Sequence, residues 1–328
     1  MSFHASHRRT FLRHLAVASL GLSGLASQAA GVSERPIKIV VPFAPGAGTD
    51  AMGRLVAAKL AELLKTTVVV ENRVGASGAL GAQAVAQSAP DGHTLLLAAA
   101  PFTTVPAALP GAGYDPLADF APVGMIAQGP LVWAANNRLP ANTLQELVAL
   151  ARQRPGALNY GSAGVGGINH LVLESLKART GTFITHIPYR GAGPALQGLI
   201  AGDVEMMFDG LGSSASHIAG GRIKALMVSG NKRNPAIPDV PSAAEVGLPD
   251  YNVTTWYGVW GPKGMPADAQ ARAIEEIRKA CTTDEAKAVW ARQGAEFTGL
   301  AGPQFGSFIS AEVKKWAQVV KASGAKLD

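Results

Sequence analysis

The chain has 328 residues, 48% of apolar type, with 29 Lys and Arg against 23 Asp and Glu, for a net charge of +6. Its single cysteine, Cys281, excludes a disulfide scaffold, and no Lys/Arg cluster of the nucleic-acid kind is present. The length suffices for two α/β units, each with a core of its own.

Arg8-Arg9-Thr10-Phe11-Leu12-Arg13, the apolar run from Leu15 to Ala26 and Ser27-Gln28-Ala29-Ala30 form an export signal over residues 1–29, with cleavage expected after Ala29. The paired arginines resemble a twin-arginine signal, but His7 stands where Ser or Thr is usual, so both export routes stay open. The signal looks bacterial, which places the mature chain in the periplasm. Removing Arg8, Arg9 and Arg13 leaves 26 basic residues against 23 acidic ones, a charge of +3. The signal's apolar run falls short of the ~20 residues that span a bilayer. The stretch from Thr94 to Leu109 is broken by Pro101 and Pro106, so no permanent membrane span is expected.

Strands and helices alternate from there, the pattern of an α/β fold with mostly parallel sheets. Ile37 to Val41, apolar apart from Lys38, reads as a strand buried on both faces. The next helix carries Met52, Leu55, Val56, Leu60, Leu63 and Leu64 on one face and mostly Arg54, Lys59, Glu62 and Lys65 on the other. Thr67 to Val70 and Thr94 to Ala98 read as strands. After Leu131-Val132-Trp133-Ala134 the series restarts with a helix from Thr143 to Arg152, a strand from Leu158 to Tyr160 and a helix from Ile168 to Arg179. A strand from Ile184 to Ile187, a helix from Pro194 to Ala201 with proline at its first position, and strands from Val204 to Phe208 and Ile223 to Val228 follow. Val253 to Gly261 leads into helices over 267–281, 286–293 and 303–323. This order predicts two lobes, 35–131 with 254–328 and 132–253, joined by crossing segments near residues 131 and 254. A ligand is expected at the carboxyl ends of the strands.

Four times an apolar strand runs into a glycine-rich loop and a helix start: Pro42 to Asp50, Gly75 to Gly81, Gly161 to Gly167 and Tyr189 to Pro194. Glycine lets backbone approach a ligand, and helix N-termini present unpaired N–H groups, so these loops suggest a cleft for a small anion. Gly46 to Ala51 also fits G-x-G-x-x-G/A, with Glu71 where a ribose-binding acid would sit, so a periplasmic NAD-dependent oxidoreductase competes. Pro42 and Pro45 widen that loop, and Asp50 would bring a carboxylate towards a pyrophosphate; both weigh against it. There is no G-x-S-x-G elbow and no G-K-[ST] loop. His93, His170, His186 and His217 lack metal-ligand spacing, so no catalytic residue, cofactor or metal is expected.

Cys281 has no His or acid near it in sequence and reads as core. His170, just inside the helix after the third loop, is kept as a ligand neighbour. Asp50 reads as a first-turn acid worth ~0.5–2 kcal/mol to its helix, as an anchor of the first loop, or as an acceptor for a ligand amine. Arg190 is either a surface guanidinium or the bidentate partner of a carboxylate. Tyr189 either packs or lines the cleft, and Asp209 either caps a turn or closes the cleft floor.

At these loops the chain resembles the Bug (TctC-like) family, the periplasmic solute-binding proteins of tripartite tricarboxylate transporters. The resemblance runs through Pro36 to Phe43 with Gly46, Thr49 and Asp50, Val70-Glu71-Asn72-Arg73 with Gly75, and Pro90 to Leu96. It continues through Tyr114-Asp115-Pro116 with Asp119 to Pro122, Leu158 to Gly164, and His170-Leu171. His186 to Gly191, Met207-Phe208-Asp209, Pro238 to Ser242 and Trp256-Tyr257-Gly258 complete it.

The family implies a Venus-flytrap of the type II periplasmic-binding-protein fold. Two α/β lobes and a hinge hold a small carboxylic acid, amino acid or aromatic acid, which is passed to membrane permease subunits. The ligand carboxylate is held there largely by loop backbone and ordered water. Carried onto this chain, the contacts are Phe43, Ala44, Gly46, Ala47, Gly48 and Thr49 on the first loop, and Ala100 and Phe102 in the loop after the third strand, 99–104. Ser162, Gly164, Val165, His170, Tyr189, Arg190 and Asp209 would supply the second lobe. Ala47 stands where the family usually has a second consecutive glycine, Val165 replaces a commonly polar residue, and Pro101-Phe102 replaces small polar ones. These departures favour a ligand with an apolar or aromatic part. The expected protein is a monomeric, non-enzymatic receptor, serving transport or ligand sensing.

Overall fold

β1 (Ile37–Val41) is apolar apart from Lys38, and its Ile39, Val40 and Val41 are at most 2% exposed. The computed structural model describes residues 35–46, 48–109, 111–292 and 294–324, so the export signal and Ala47 lie outside it. β2 (Val68–Asn72) and β3 (Thr94–Ala99) flank β1, both parallel to it. α1 (Gly48–Leu64) lays Met52, Val56, Ala57 and Leu60 over the face of Ile39 and Val41. Val40 points the other way, into a core shared with α2 (Ala79–Ala86) and α3 (Pro101–Ala108).

The sheet then reverses. β9 (Thr254–Pro262) is antiparallel to β3 and to β4 (Phe120–Asn136). β4 has 17 residues and two sets of partners. It pairs with β9 as far as Pro130↔Thr254, and from Leu131↔Gly210 onwards with β7 (Met206–Gly210). β8 (Ile223–Val228) lies against the same second half of β4. β5 (Asn159–Ser162) runs parallel to β7 and to β6 (Thr185–Pro188). Of these eight pairings four are antiparallel. The expected parallel preponderance therefore gives way to a mixed sheet, because β4 and β9 run back against the βαβ strands on either side.

In the second half, α4 (Leu144–Gln153) starts at Thr143, whose hydroxyl accepts the Glu146 N–H at 3.1 Å, while Glu146 reaches back to the Asn142 N–H at 2.6 Å. α5 (Ile168–Thr180), α6 (Ala192–Ala201) and α7 (Leu211–Ala219) complete that half. α8 (Ala267–Cys281) and α9 (Asp284–Arg292) return to the first. Cys281 is fully buried there and burial pushes its thiol up to about 12, which fits a core residue. α10 (Gly302–Ser323) packs against α3 and α5 and so touches both halves. Its buried Glu312 accepts the indole N–H groups of Trp256, at 3.3 Å, and Trp316, at 2.8 Å.

Two differences from expectation fall at the predicted loops. The segment 99–104 is not a loop: Pro101 opens α3, where a missing N–H costs nothing. The helix after the fourth loop starts at Ala192, two residues ahead of Pro194.

Gly258 marks a close contact between β9 and α10. A Cβ there would lie 2.4 Å from Phe305 Cζ and 2.8 Å from Trp260 Cη2. Gly258→Ala is expected to cost about 1–3 kcal/mol through overpacking, read as a lower midpoint in urea with an unchanged slope.

Candidate functional site

The first loop is shaped by Asp50. Only 2% exposed, it accepts the Gly46 N–H at 2.8 Å, Arg54 Nε at 2.9 Å and Asn72 Nδ2 at 2.9 Å. Asn72 ends β2 beside Val41 and also donates to the Phe43 carbonyl at 2.9 Å. Burial alone would raise the Asp50 carboxyl, but the bonds from Arg54, Gly46 and Asn72 outweigh it and hold the acid below its ordinary value. Asp50 lies in the first turn of α1, and these contacts also make it the anchor of the loop. Around it Ala44, Gly46 and Gly48 are exposed, Phe43 is half-buried and Thr49 is buried.

The second loop turns left-handed. Gly75, Ala76, Ser77 and Gly78 have φ of 144°, 46°, 53° and 100°. For Ala76 and Ser77 that conformation costs about 1–2 kcal/mol each. The turn faces the first loop across a cavity of about 10 Å³, room for one water, lined by Phe43, Ser77, Phe102 and Tyr114 among others. Phe102 is 3% exposed and packs on Tyr114, Phe120 and Trp260 at centroid distances of 5.5, 5.0 and 4.3 Å. Its ring is committed to the core, and neighbouring Ala100 is fully buried. Tyr257, on β9, brings its hydroxyl within 3.2 Å of where a Cβ on Gly48 would sit.

In the other half, Ser162 ends β5. Its hydroxyl accepts the Gly164 N–H at 3.1 Å and lies 2.6 Å from His186 Nε2. His170 accepts the Gly166 N–H on Nδ1 at 3.1 Å and stacks on His186 at 4.0 Å with a 9° interplanar angle. Tyr160 also stacks on His186, at 4.7 Å, and donates to Glu174, which Lys177 also meets at 2.6 Å. Burial depresses both histidines, and proximity to His170 and Lys177 helps take His186 down to about 3. Val165, half-buried, sits between the two pinned glycines.

Tyr189 lays its ring over Gly161 and Gly198, and its N–H donates to the Ser162 carbonyl at 3.0 Å. Arg190 is exposed and makes no hydrogen bond or ion pair among the described residues. Asp209 is 2% exposed, takes the hydroxyls of Ser213 and Ser214 at 2.5 and 2.7 Å, and is raised by burial. It faces no Lys or Arg within ion-pair distance among the described residues; burial raises the nearby Tyr257 phenol, and the Asp209 charge adds to that. The third and fourth loops thus adjoin, as do the first and second. The Thr104 hydroxyl, on α3, links the two sets by donating 2.7 Å to the Gly166 carbonyl.

Sequence reasoning singled out neither His186 nor the Tyr160–Glu174–Lys177 cluster. Their meeting depends on the β5–β6 register, which sets Tyr160 opposite His186. Asn72 and Tyr257 stood inside the matching motifs without a role. Glu71, the proposed ribose acid, is engaged by Lys38 at 2.8 Å and by Arg73. Among the described residues no cluster of three His, Cys, Asp or Glu could hold a metal, and no helix is long and apolar enough to cross a membrane.

The mixed nine-stranded sheet is that of periplasmic binding proteins. BugD, a periplasmic binding protein, superposes with a TM-score of 0.81 at 32% identity, covering 89% of this chain and 99% of its own. Rpa4515 of R. palustris, solved with adipate, gives a TM-score of 0.83 at 33% identity over 90% of this chain and 99% of its own. BugT of Bordetella pertussis strain Tohama I is 37% identical over 295 residues, 89% of this chain and 90% of BugT. Residues 52–325 match the tripartite tricarboxylate transporter family receptor, TctC. The chain belongs to that family.

Proposed function

We propose that the chain is an exported, non-enzymatic receptor that encloses a small carboxylate between its two sets of glycine loops and presents it to a membrane permease. The observation that carries this is the buried bond from Thr104 to Gly166, which brings loops of both halves to one margin. The adipate seen in Rpa4515 supports the ligand class. Half-buried Phe43 and Val165 add apolar wall, in keeping with a ligand that has an apolar part. The unpaired Arg190 guanidinium supplies a partner for a carboxylate.

The hand-over of β4 from β9 to β7 between Pro130 and Leu131 supports lobes of 35–131 with 254–328 and of 132–253. In this reading the mature chain is a periplasmic monomer without cofactor, and closure of the lobes is the signal its permease reads. The oxidoreductase reading is disfavoured because Lys38 and Arg73 already occupy Glu71.

A thermal-shift screen of carboxylates with NAD alongside tests this. A carboxylate at a hundred times its Kd adds ~2.7 kcal/mol, a rise of about 5 °C or more. Arg190→Ala is expected to weaken that ligand about tenfold or more. A rise with NAD and none with any carboxylate would overturn the proposal.

A further inference from the structure

We infer that Thr104 and His170 form a two-sided clasp on Gly166 that sets the third loop for capture, so that both are positioning residues and not ligand contacts. The inference rests on the binding reading above but has a readout independent of it. Gly166 is held at both polar atoms. Its N–H donates to His170 Nδ1 at 3.1 Å, and its carbonyl accepts Thr104 Oγ1 at 2.7 Å. With φ at +73° it occupies a conformation in which a side chain is strained.

The two arms come from different halves, Thr104 from α3 and His170 from α5. Thr104 has no exposed surface, and its other acceptor, the Pro101 carbonyl of its own helix, is 3.5 Å away. When the halves part, this hydroxyl and the Gly166 carbonyl lose each other. When they close, the bond is remade in a dry site, where an unmade one would be costly.

The His170 arm is itself held in place. Accepting an N–H on Nδ1 fixes the proton on Nε2, which faces Glu174 Oε1 at 4.0 Å. Glu174 is fixed by Tyr160 from β5 and Lys177 from α5. His186, from β6, stacks on the ring, and its Nε2 lies 2.6 Å from Ser162 Oγ, which accepts the Gly164 N–H. The loop is thus pinned on both sides of Val165, whose side chain is left to meet the ligand. A proton on Nδ1 would remove the acceptor that Gly166 uses, so neutral His170 is the working form.

Three variants test the clasp: Thr104→Val removes the hydroxyl at nearly constant volume, Thr104→Ser retains it, and His170→Phe keeps a stacking ring without an acceptor. Hydrogen exchange of the 162–167 segment is followed without ligand, and adipate binding is measured by calorimetry. Thr104→Val and His170→Phe are expected to speed exchange and weaken adipate about tenfold each, with Thr104→Ser within twofold of the parent. Exchange unchanged in Thr104→Val, or Thr104→Ser behaving as Thr104→Val, would overturn the clasp. If the parent itself binds no carboxylate, the binding proposal fails while the exchange comparison still decides the clasp. Should Thr104→Val not fold, His170→Phe against Thr104→Ser carries the contrast; should Thr104→Ser not fold, the parent takes its place.

Discussion

Asp50→Ala is expected to remove about 2–4 kcal/mol of folding stability and to abolish measurable ligand binding. The carboxylate is 2% exposed and is the common acceptor for a loop N–H, an amide and a guanidinium. Hydrogen bonds to a charged group contribute ~1.5–3 kcal/mol each, offset in part by the cost of burying the carboxylate. Arg54 is half-exposed and adds little by itself. Losing Gly46 and Asn72 as fixed points frees the whole first loop, because Asn72 is also what holds the Phe43 carbonyl. Asp50→Asn keeps the volume and one acceptor and should cost about half as much. Urea unfolding at neutral pH measures both. A loss below about 1 kcal/mol in Asp50→Ala would show that the loop is held by other means.

The second large effect is acid lability centred on the stacked histidines. His186 titrates at about 3 in the folded protein, while an unfolded histidine titrates near 6.5. The unfolded chain therefore holds the extra proton, and stability is full above about pH 6.5 and falls as pH drops towards 3. In that window His186 contributes a slope of up to ~1.4 kcal/mol per pH unit, and His170, shifted the same way, adds to it. Asp50 extends the loss, since its depressed carboxyl stabilises only while ionised. Asp209 works oppositely: its raised carboxyl favours the fold when protonated, an advantage lost as pH rises through the folded value.

His186→Phe keeps a ring against His170 and removes the titration. Chemical denaturation from pH 7 to 4 should show the parent losing stability faster than this variant, the curves converging at low pH. Parallel curves would mean that His186 takes its proton without disturbing the fold. Asp209 and Asp50 are common to both proteins, so the difference isolates the histidine.

The parts of the fold that could be read from sequence are those where one face or both faces are apolar. β1 and β8 were bounded correctly because Ile37 to Val41 and Ile223 to Val228, each apolar apart from one lysine, are closed by polar or turn residues. α8 was bounded by Pro266 before it and by the burial of Ala273, Ile277, Ala280 and Cys281 on one face. The first half of β4 was missed because Pro122, Gly124, Gly129 and Pro130 all argue against a strand. It forms because β9 runs beside it, with register shifts at Pro122/Gly124 and Met125/Ala127 that absorb the misfits. That compensation comes from residues more than a hundred positions away and leaves no local trace.

The site divides in the same way. The glycine loops announced themselves by composition, and Asp50 by its place in a first helical turn. The histidine stack did not, since His170 and His186 lie on different elements and meet only through strand register and the path of α5. The packing of Phe102 was hidden for a related reason. From sequence, an aromatic residue after a strand could face either way, and only Tyr114, Phe120 and Trp260 together show that it faces inward.

β4 gives the molecule no place to be cut. Its residues 120–130 complete the sheet of one half, and residues 131–136 are the partner of both β7 and β8 in the other. A fragment ending at residue 130 would leave β3 and the first half of β4 without β9 between them, and a fragment starting at 131 would leave β9 with neither of its neighbours. The halves are therefore not modules that can be expressed apart, exchanged between relatives at this junction or recombined freely. A sensor built on this scaffold would have to place its reporters in surface loops, with the shared strand left whole.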